Sequence, residues 1–464
     1  MSLINNLLSF IPEIKGPEQK KLDFKSKLKW TLIVLVAFFA LSVIPLYGLG
    51  QNGLARFEQL SIILGASFGS ILSLGIGPMV TASIVLQLLV GSGIIKINTS
   101  TKEGRAMFHG IQKIASIFFI VFEACIYVFM GGLAPDPALA GTPAYFTFEI
   151  ILILQLIAGG LLVMLMDELV TKWGFGSGIS LFIAAGVASE IFIRAFSPLN
   201  SIGDWAFGSG QSPVGAALVF IISLVSGAPK EAMLAAVAIL STVLIFVVSV
   251  YAQAMKVEIP LSFGRVSGYG IRWPLNFLYT SNIPVILIAA LLANLQVGAG
   301  LMQTWGVFSA EAANEITKWI GGTPILTNII AGSFSFMDIP RALVYILILA
   351  GGSVLFSLFW VQTAGQDAAS VAKQIKGAGL HIAGFRTDER ILERVLQRYI
   401  FPLTIMGGLS VGILAATADL LGSLSRGTGI LLAVMIIYRM YEDIAKQHMM
   451  DMHPAMRKMM GGGN

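Results

Sequence analysis

Long apolar runs alternate with short polar ones along the chain, and the runs are too continuous for the core of a water-soluble fold. Residues 32–44, 150–166 and 344–361 are almost wholly apolar. A bilayer core of about 30 Å needs roughly 20 such residues in a helix. This pattern predicts ten spans: 28–48, 58–92, 109–131, 145–166, 179–196, 234–255, 280–299, 341–361, 400–418 and 428–446. Two shorter apolar stretches, 213–226 and 324–336, are the length of interfacial or re-entrant pieces.

The second span departs from the pattern. Gly75-Ile76-Gly77-Pro78 interrupts it, because proline disfavours helix at the residue before it and glycine supplies turning freedom. The piece after the break, up to Gly91, is too short to cross the hydrocarbon core. The piece before it is small and semi-polar, with Ser61, Gly65, Ser67, Gly69 and Ser70. Bare backbone at membrane depth is tolerated only inside protein or beside a water-filled cavity. A kinked helix packed in a bundle satisfies the same residues.

Charge orients the spans. With both termini in the cytosol, 24 of the 30 Lys and Arg fall on the inner side and 6 on the outer, as the positive-inside rule requires. The extramembrane pieces are then an N-terminal segment 1–27, an external connection 197–233, cytosolic loops 256–279 and 362–399, and a tail 447–464. Within the loops, 256–274 reads as a hairpin and 367–376 as a helix. The tips Gly264-Arg265 and Gly384-Phe385-Arg386 present a guanidinium beside glycine, which suits phosphate contacts. Basic inner loops are also general to membrane proteins.

Span 5 opens with Gly176-Ser177-Gly178-Ile179 and span 10 with Gly427-Thr428-Gly429-Ile430. They are fifth in their halves and enter from opposite sides, as an inverted repeat of five plus five demands. Glycine-led helix starts are also common in membrane proteins, so chance gives the same match; read as a repeat, it divides the chain into an N-terminal half, 28–196, and a C-terminal half, 234–446.

Composition narrows the chemistry. Only 12% of residues are charged and 56% are hydrophobic. The single cysteine, Cys125, rules out an intrachain disulfide. The first thirty residues are polar, without the pattern of a cleavable signal. HExxH, GxSxG and Walker-type motifs are absent. His448 and His453 lack the further ligands of a metal site. No enzyme activity, metal or cofactor is expected. The clearest ionisable group at membrane depth is Glu123, a functional candidate or a carboxyl paired with a neighbouring polar group; Thr81 and Asn294 are its candidate partners. Glu190 and Arg194 read as an i,i+4 pair.

Several segments together resemble the SecY/Sec translocon alpha-subunit family, its archaeal branch in particular. They are Leu74-Gly75-Ile76-Gly77-Pro78, Gln87-Leu88-Leu89-Val90-Gly91-Ser92-Gly93, Gly176-Ser177-Gly178-Ile179, Val257-Glu258-Ile259-Pro260-Leu261, Ser281-Asn282-Ile283-Pro284-Val285-Ile286 and Tyr438-Arg439-Met440-Tyr441-Glu442. The resemblance runs from about residue 10 to 454. It implies an all-α membrane fold of ten transmembrane helices, in two inverted five-helix halves around a central pore. The halves are hinged externally between spans 5 and 6, with a lateral gate between spans 2–3 and 7–8. The broken second helix becomes a plug, 59–69, and a pore-lining half-helix. By family position the pore ring is Ile76, Val80, Ile179, Ile183, Ile286 and Leu432, and the lateral-gate polar cluster is Thr81, Glu123 and Asn294. Arg265 and Arg386 meet the ribosome. The resemblance further implies a SecE/gamma-type single-span subunit, a beta-type subunit, signal peptides and nascent chains as partners, and a place in the cell membrane. A secondary transporter shares broken spans and inverted repeats, but calls for a polar solute site at the midplane, where only the Glu123 cluster qualifies. An intramembrane enzyme would lack its catalytic groups.

Overall fold

The computed structural model describes residues 13–18, 22–50, 69–91, 94–95, 97, 101–200, 205–207, 212–263, 270–280, 283–304, 306–377, 380–381 and 389–452. The helices are α1 (Phe24–Val43), α2 (Gly77–Gly91), α3 (Lys102–Phe129), α4 (Pro143–Trp173), α5 (Gly178–Phe196), α6 (Ala216–Val225), α7 (Pro229–Ala254), α8 (Ile283–Thr304), α9 (Ala310–Gly321), α10 (Ile325–Ala331), α11 (Asp338–Thr363), α12 (Ala368–Gly377), α13 (Glu389–Leu421) and α14 (Gly427–Met452). Among the described residues three strands join them: β1 (Lys256–Phe263), β2 (Gly270–Asn276) and β3 (Leu380–His381). Eight of the described helices are long and apolar enough to cross a membrane. At 15 residues α2 falls short of that length. The apolar stretches 213–226 and 324–336 form only α6 and α10, of 10 and 7 residues. Large aliphatic side chains such as Val36, Leu154, Leu244 and Leu347 are more than half exposed, as lipid-facing positions are.

Two compact units divide the chain. The first holds Met1–Ala82, Lys113–Arg194 and Leu432–Asn464; the second holds Ser83–Gln112 and Ala195–Leu431. In the first, α1 buries Thr31, Val34 and Phe38 at helical spacing, and Phe38 stacks on Phe182 of α5 with ring centroids 4.5 Å apart. The core gathers Leu46, Leu74, Ile120, Ala124, Tyr127, Val128, Leu133, Leu152 and Leu156. Small residues on α4 permit the close approach that membrane helices rely on for packing. A Cβ on Gly160 would meet the Ile120 side chain at 2.8 Å, and one on Gly159 would run into the Ile71 backbone carbonyl. The non-helical stretch ahead of α2 therefore lies backbone-to-backbone on α4. The stretch pairs with the segment that follows α1: Leu46 N–H donates to the Gly69 carbonyl at 2.8 Å and Ile71 N–H to the Ile44 carbonyl at 3.0 Å.

In the second unit α11 and α13 pack through glycine. A Cβ on Gly412 would lie 2.6 Å from Ala350 Cα. Beyond the spans, β1 pairs antiparallel with β2 from Lys256↔Asn276 to Ser262↔Gly270, as the hairpin reading expects. β3 adds to the other side of β1 through Ser262↔His381 and Phe263↔Leu380. The described residues within 256–276 and 362–399 thus form one platform with its own core of Ile259, Leu275, Val371, Ala372, Ile375, Leu392 and Leu396. The Asp367 carboxylate caps α12 through the Ser370 amide at 3.2 Å. The charged run that opens α13 is continuous with the apolar span behind it, despite Pro402 inside the helix.

Candidate pore and gate residues

The break in the second segment has a simple local cause. Gly75 adopts φ +52°, a left-handed conformation that other residues rarely take. The helix then starts at Gly77, and Pro78 sits in its first turn, where a missing N–H breaks no intrahelical bond. Ile76 directly precedes that start, and Val80 comes one turn on. Both are buried.

The other ring candidates share this placement. Ile179 is the second residue of α5 and Ile183 lies one turn later; Ile286 is the fourth residue of α8, and Leu432 the sixth of α14. All six candidates therefore occupy helix starts, within about two turns of the first residue. Ile183 and Leu432 are buried, while Ile179 and Ile286 are half-buried. Whatever seats these helix ends seats the aliphatic side chains.

Of the gate candidates, Thr81 is next to Val80 on α2, and its hydroxyl donates to Glu123 Oε1 on α3 at 3.1 Å. Tyr127, one turn beyond Glu123, belongs to the core of the first unit. Asn294 is on α8 in the second unit, eight residues beyond Ile286, and is exposed. Glu190 and Arg194 form the expected i,i+4 ion pair at 3.0 Å. Arg265, Arg386 and residues 59–68 lie outside the described residues. Among the described residues no group of three or more His, Cys, Asp or Glu is arranged to hold a metal ion.

Two further acids escape a reading by motif. Asp167, near the end of α4, accepts the Ile179 amide of α5 at 2.8 Å and faces the Ser177 hydroxyl at 3.5 Å. Asp419, near the end of α13, accepts the Gly427 amide that opens α14 at 2.5 Å, and the Tyr345 hydroxyl at 2.5 Å. The signal available in the sequence is an acid in the last turns of an apolar span, with Gly-hydroxyl-Gly-Ile no more than a dozen residues later.

Eight helices long and apolar enough to cross a membrane define a polytopic membrane protein. The SecY family model matches residues 70–441, and the chain belongs to the SecY family. It is 43% identical to the protein translocase subunit SecY of Methanothermobacter thermautotrophicus, over 98% of each chain. It is 41% identical to that of Pyrococcus horikoshii, over 98% of this chain and 97% of the relative. Among solved structures, a protein conducting channel superposes with TM-score 0.80 at 38% identity, covering 97% of this chain and 98% of the other. The Sec61 chain of a canine ribosome–channel complex from the endoplasmic reticulum gives 0.77 at 38% identity, with the same coverage.

Proposed function

We propose that this chain is the pore-forming subunit of a Sec protein-conducting channel. It passes unfolded polypeptides across the cell membrane and releases transmembrane segments sideways into lipid. The observation that carries the reading is the interrupted second segment: non-helical backbone seated on Gly159 of α4, then a half-helix that starts beside Ile76. Such backbone belongs inside protein or next to a water-filled path, and membership of the SecY family makes that path a polypeptide's.

In this reading ten spans, in two inverted halves with cytosolic termini, surround the path. Ile76, Val80, Ile179, Ile183, Ile286 and Leu432 supply an aliphatic ring, an assignment that rests on family position. A channel for all sequences must avoid specific contacts. Aliphatic groups make no strong hydrogen bonds with the passing chain, and an empty apolar neck dewets and stops ions. Segment 59–69 is the plug that backs up the ring. Thr81, Glu123 and Asn294 set how readily the lateral gate parts, with the Thr81–Glu123 bond as its anchored side. Arg265 and Arg386, by family position, contact the ribosome, and a SecE/gamma-type and a beta-type subunit complete the complex. No step requires a catalytic group or a cofactor.

Planar-bilayer conductance tests the account. Deleting 59–69 should raise ion leak while translocation continues. Replacing Ile76, Val80, Ile183 and Ile286 together by Asn should also raise it, and the combined variant should leak far more than the sum. A combined variant as ion-tight as wild type would remove both the ring and the plug from the mechanism.

A further inference from the structure

Each half of the chain ends in a helix that carries ring candidates, α5 with Ile179 and Ile183, and α14 with Leu432. A helix start leaves backbone N–H groups without intrahelical partners and concentrates the positive end of the helix dipole there. In water the preceding residue caps it. Here the residues immediately ahead of both starts are Ser177 and Arg426, and in each case the cap comes from another helix.

The two arrangements match. In the first, α5 begins with Gly178, and a Cβ there would lie 2.5 Å from Asp167 Cα. The helix start is thus pressed against the very turn of α4 that carries the aspartate, and the carboxylate takes the Ile179 amide. In the second, α14 begins with Gly427. A Cβ there would collide with the side chain of Ala418 and lie 2.8 Å from the Asp419 amide. The Asp419 carboxylate takes the Gly427 amide. Both aspartates are half-buried. Glycine at the first position admits the close approach, and the acid from the previous helix answers the free amides and the dipole. A buried acid placed there for packing alone would not face the open end of a helix in both halves.

We propose that Asp167 and Asp419 are positioning residues, a repeated pair of interhelix caps that fix the height of the two ring-bearing helix starts. The inference rests on the ring assignment for its effect on the seal, and on the hydrogen bonds alone for its effect on the helices. Losing a cap should free the first turn to fray, releasing Ile179 in the one helix and the turn just ahead of Leu432 in the other.

Hydrogen exchange in lipid nanodiscs and conductance in planar bilayers test this on the channel complex as purified from membranes. Asp167→Ala should speed amide exchange in a peptide covering 174–182, and Asp419→Ala in one covering 423–431, by about five- to thirty-fold, the usual consequence of a lost cap. Exchange in α3 should not change. Both variants should raise resting ion leak. Asp→Asn keeps an acceptor oxygen and should retain most of the protection and the seal, a rescue that loss of packing alone would not show. Gly178→Ala and Gly427→Ala act on the same contact from the other side and should reproduce the Ala phenotype, which keeps the test open should the aspartate variants fail to accumulate. Unchanged exchange in the Ala and glycine variants overturns the inference. Faster exchange without leak, while Ile183→Asn does leak, overturns the positioning role and leaves the ring standing. A tight Ile183→Asn channel removes the ring instead, and exchange then decides whether the aspartates hold the helices.

Discussion

Glu123 of α3 accepts the Thr81 hydroxyl of α2, and that pairing sets what substitution there should do. Thr81→Val keeps the shape of the side chain and removes the hydroxyl that bonds Glu123 Oε1. Hydrogen bonds between membrane helices are worth ~0.6–2 kcal/mol, enough to move a balanced gate several-fold. Thr81→Val should therefore change how hydrophobic a signal sequence must be, whereas Thr81→Ser should behave as wild type. Equal effects on weak and strong signals would reduce the bond to a structural one. This pair was legible in the sequence because a polar residue at membrane depth must find a partner, and few were available. The Glu190–Arg194 pair was legible for a simpler reason, its i,i+4 spacing. Asp167 and Asp419 were not, because the amides they serve lie twelve and eight residues away across a loop, beyond any local capping motif.

At the scale of elements, glycine contacts decide which helices can touch, and they differ in what opposes them. Gly159 faces backbone, which cannot retreat, whereas Gly160 faces the flexible Ile120 side chain. Gly159→Ala should thus cost more stability than Gly160→Ala, and thermal aggregation of the purified protein would show the order. The platform gives a second prediction. Ile375 is fully buried in its core, so Ile375→Asp buries an unpaired charge, one of the few mechanisms that costs more than about 4 kcal/mol. Limited proteolysis should then cut 256–276 and 362–399 while the spans stay intact; a protease-resistant platform would contradict that core. Within it, Tyr279 donates to the Gln366 carbonyl at 2.7 Å. Burial, with the nearby Asp367 carboxylate, pushes its phenol up to about 12, so it remains a donor at any working pH. Eight of the ten expected spans, and the hairpin, were readable from apolar length and turn residues. The continuity of α13 was not, because Pro402 suggests a boundary and the charged run before it suggests a surface loop. Packing overrides both: Leu392, Leu396, Ile400 and Leu403 form one stripe along the helix, all in the platform core.

For the whole molecule, the ten-span reading makes a topological prediction. Reporters fused at either terminus or at Phe385 should report the cytosol, and one fused after Gly322 the outside. A cytosolic reporter after Gly322 would break the count. The proposed division into inverted halves rests in the sequence on a four-residue echo, Gly-hydroxyl-Gly-Ile, since inverted copies would share geometry without needing shared side chains. The helix α13 links the platform to the ring-bearing start of α14. It runs 33 residues, about 50 Å, with Leu392 and Leu396 gripped by the platform at one end and Asp419 holding Gly427 at the other. Such a rod is a lever. A tilt of about 3° at the platform sweeps the far end by roughly 2.5 Å, more than a hydrogen bond tolerates. Pro402 is its compliant point, since a proline removes one rung of the helix ladder. Pro402→Ala should stiffen the rod, so that ribosome docking changes amide exchange at 427–431 more than it does in wild type; an unchanged response would mean the proline carries no compliance. A load applied to the platform can in this way loosen a single bond at the far end of the rod, with no messenger but the stiffness of the helix between them.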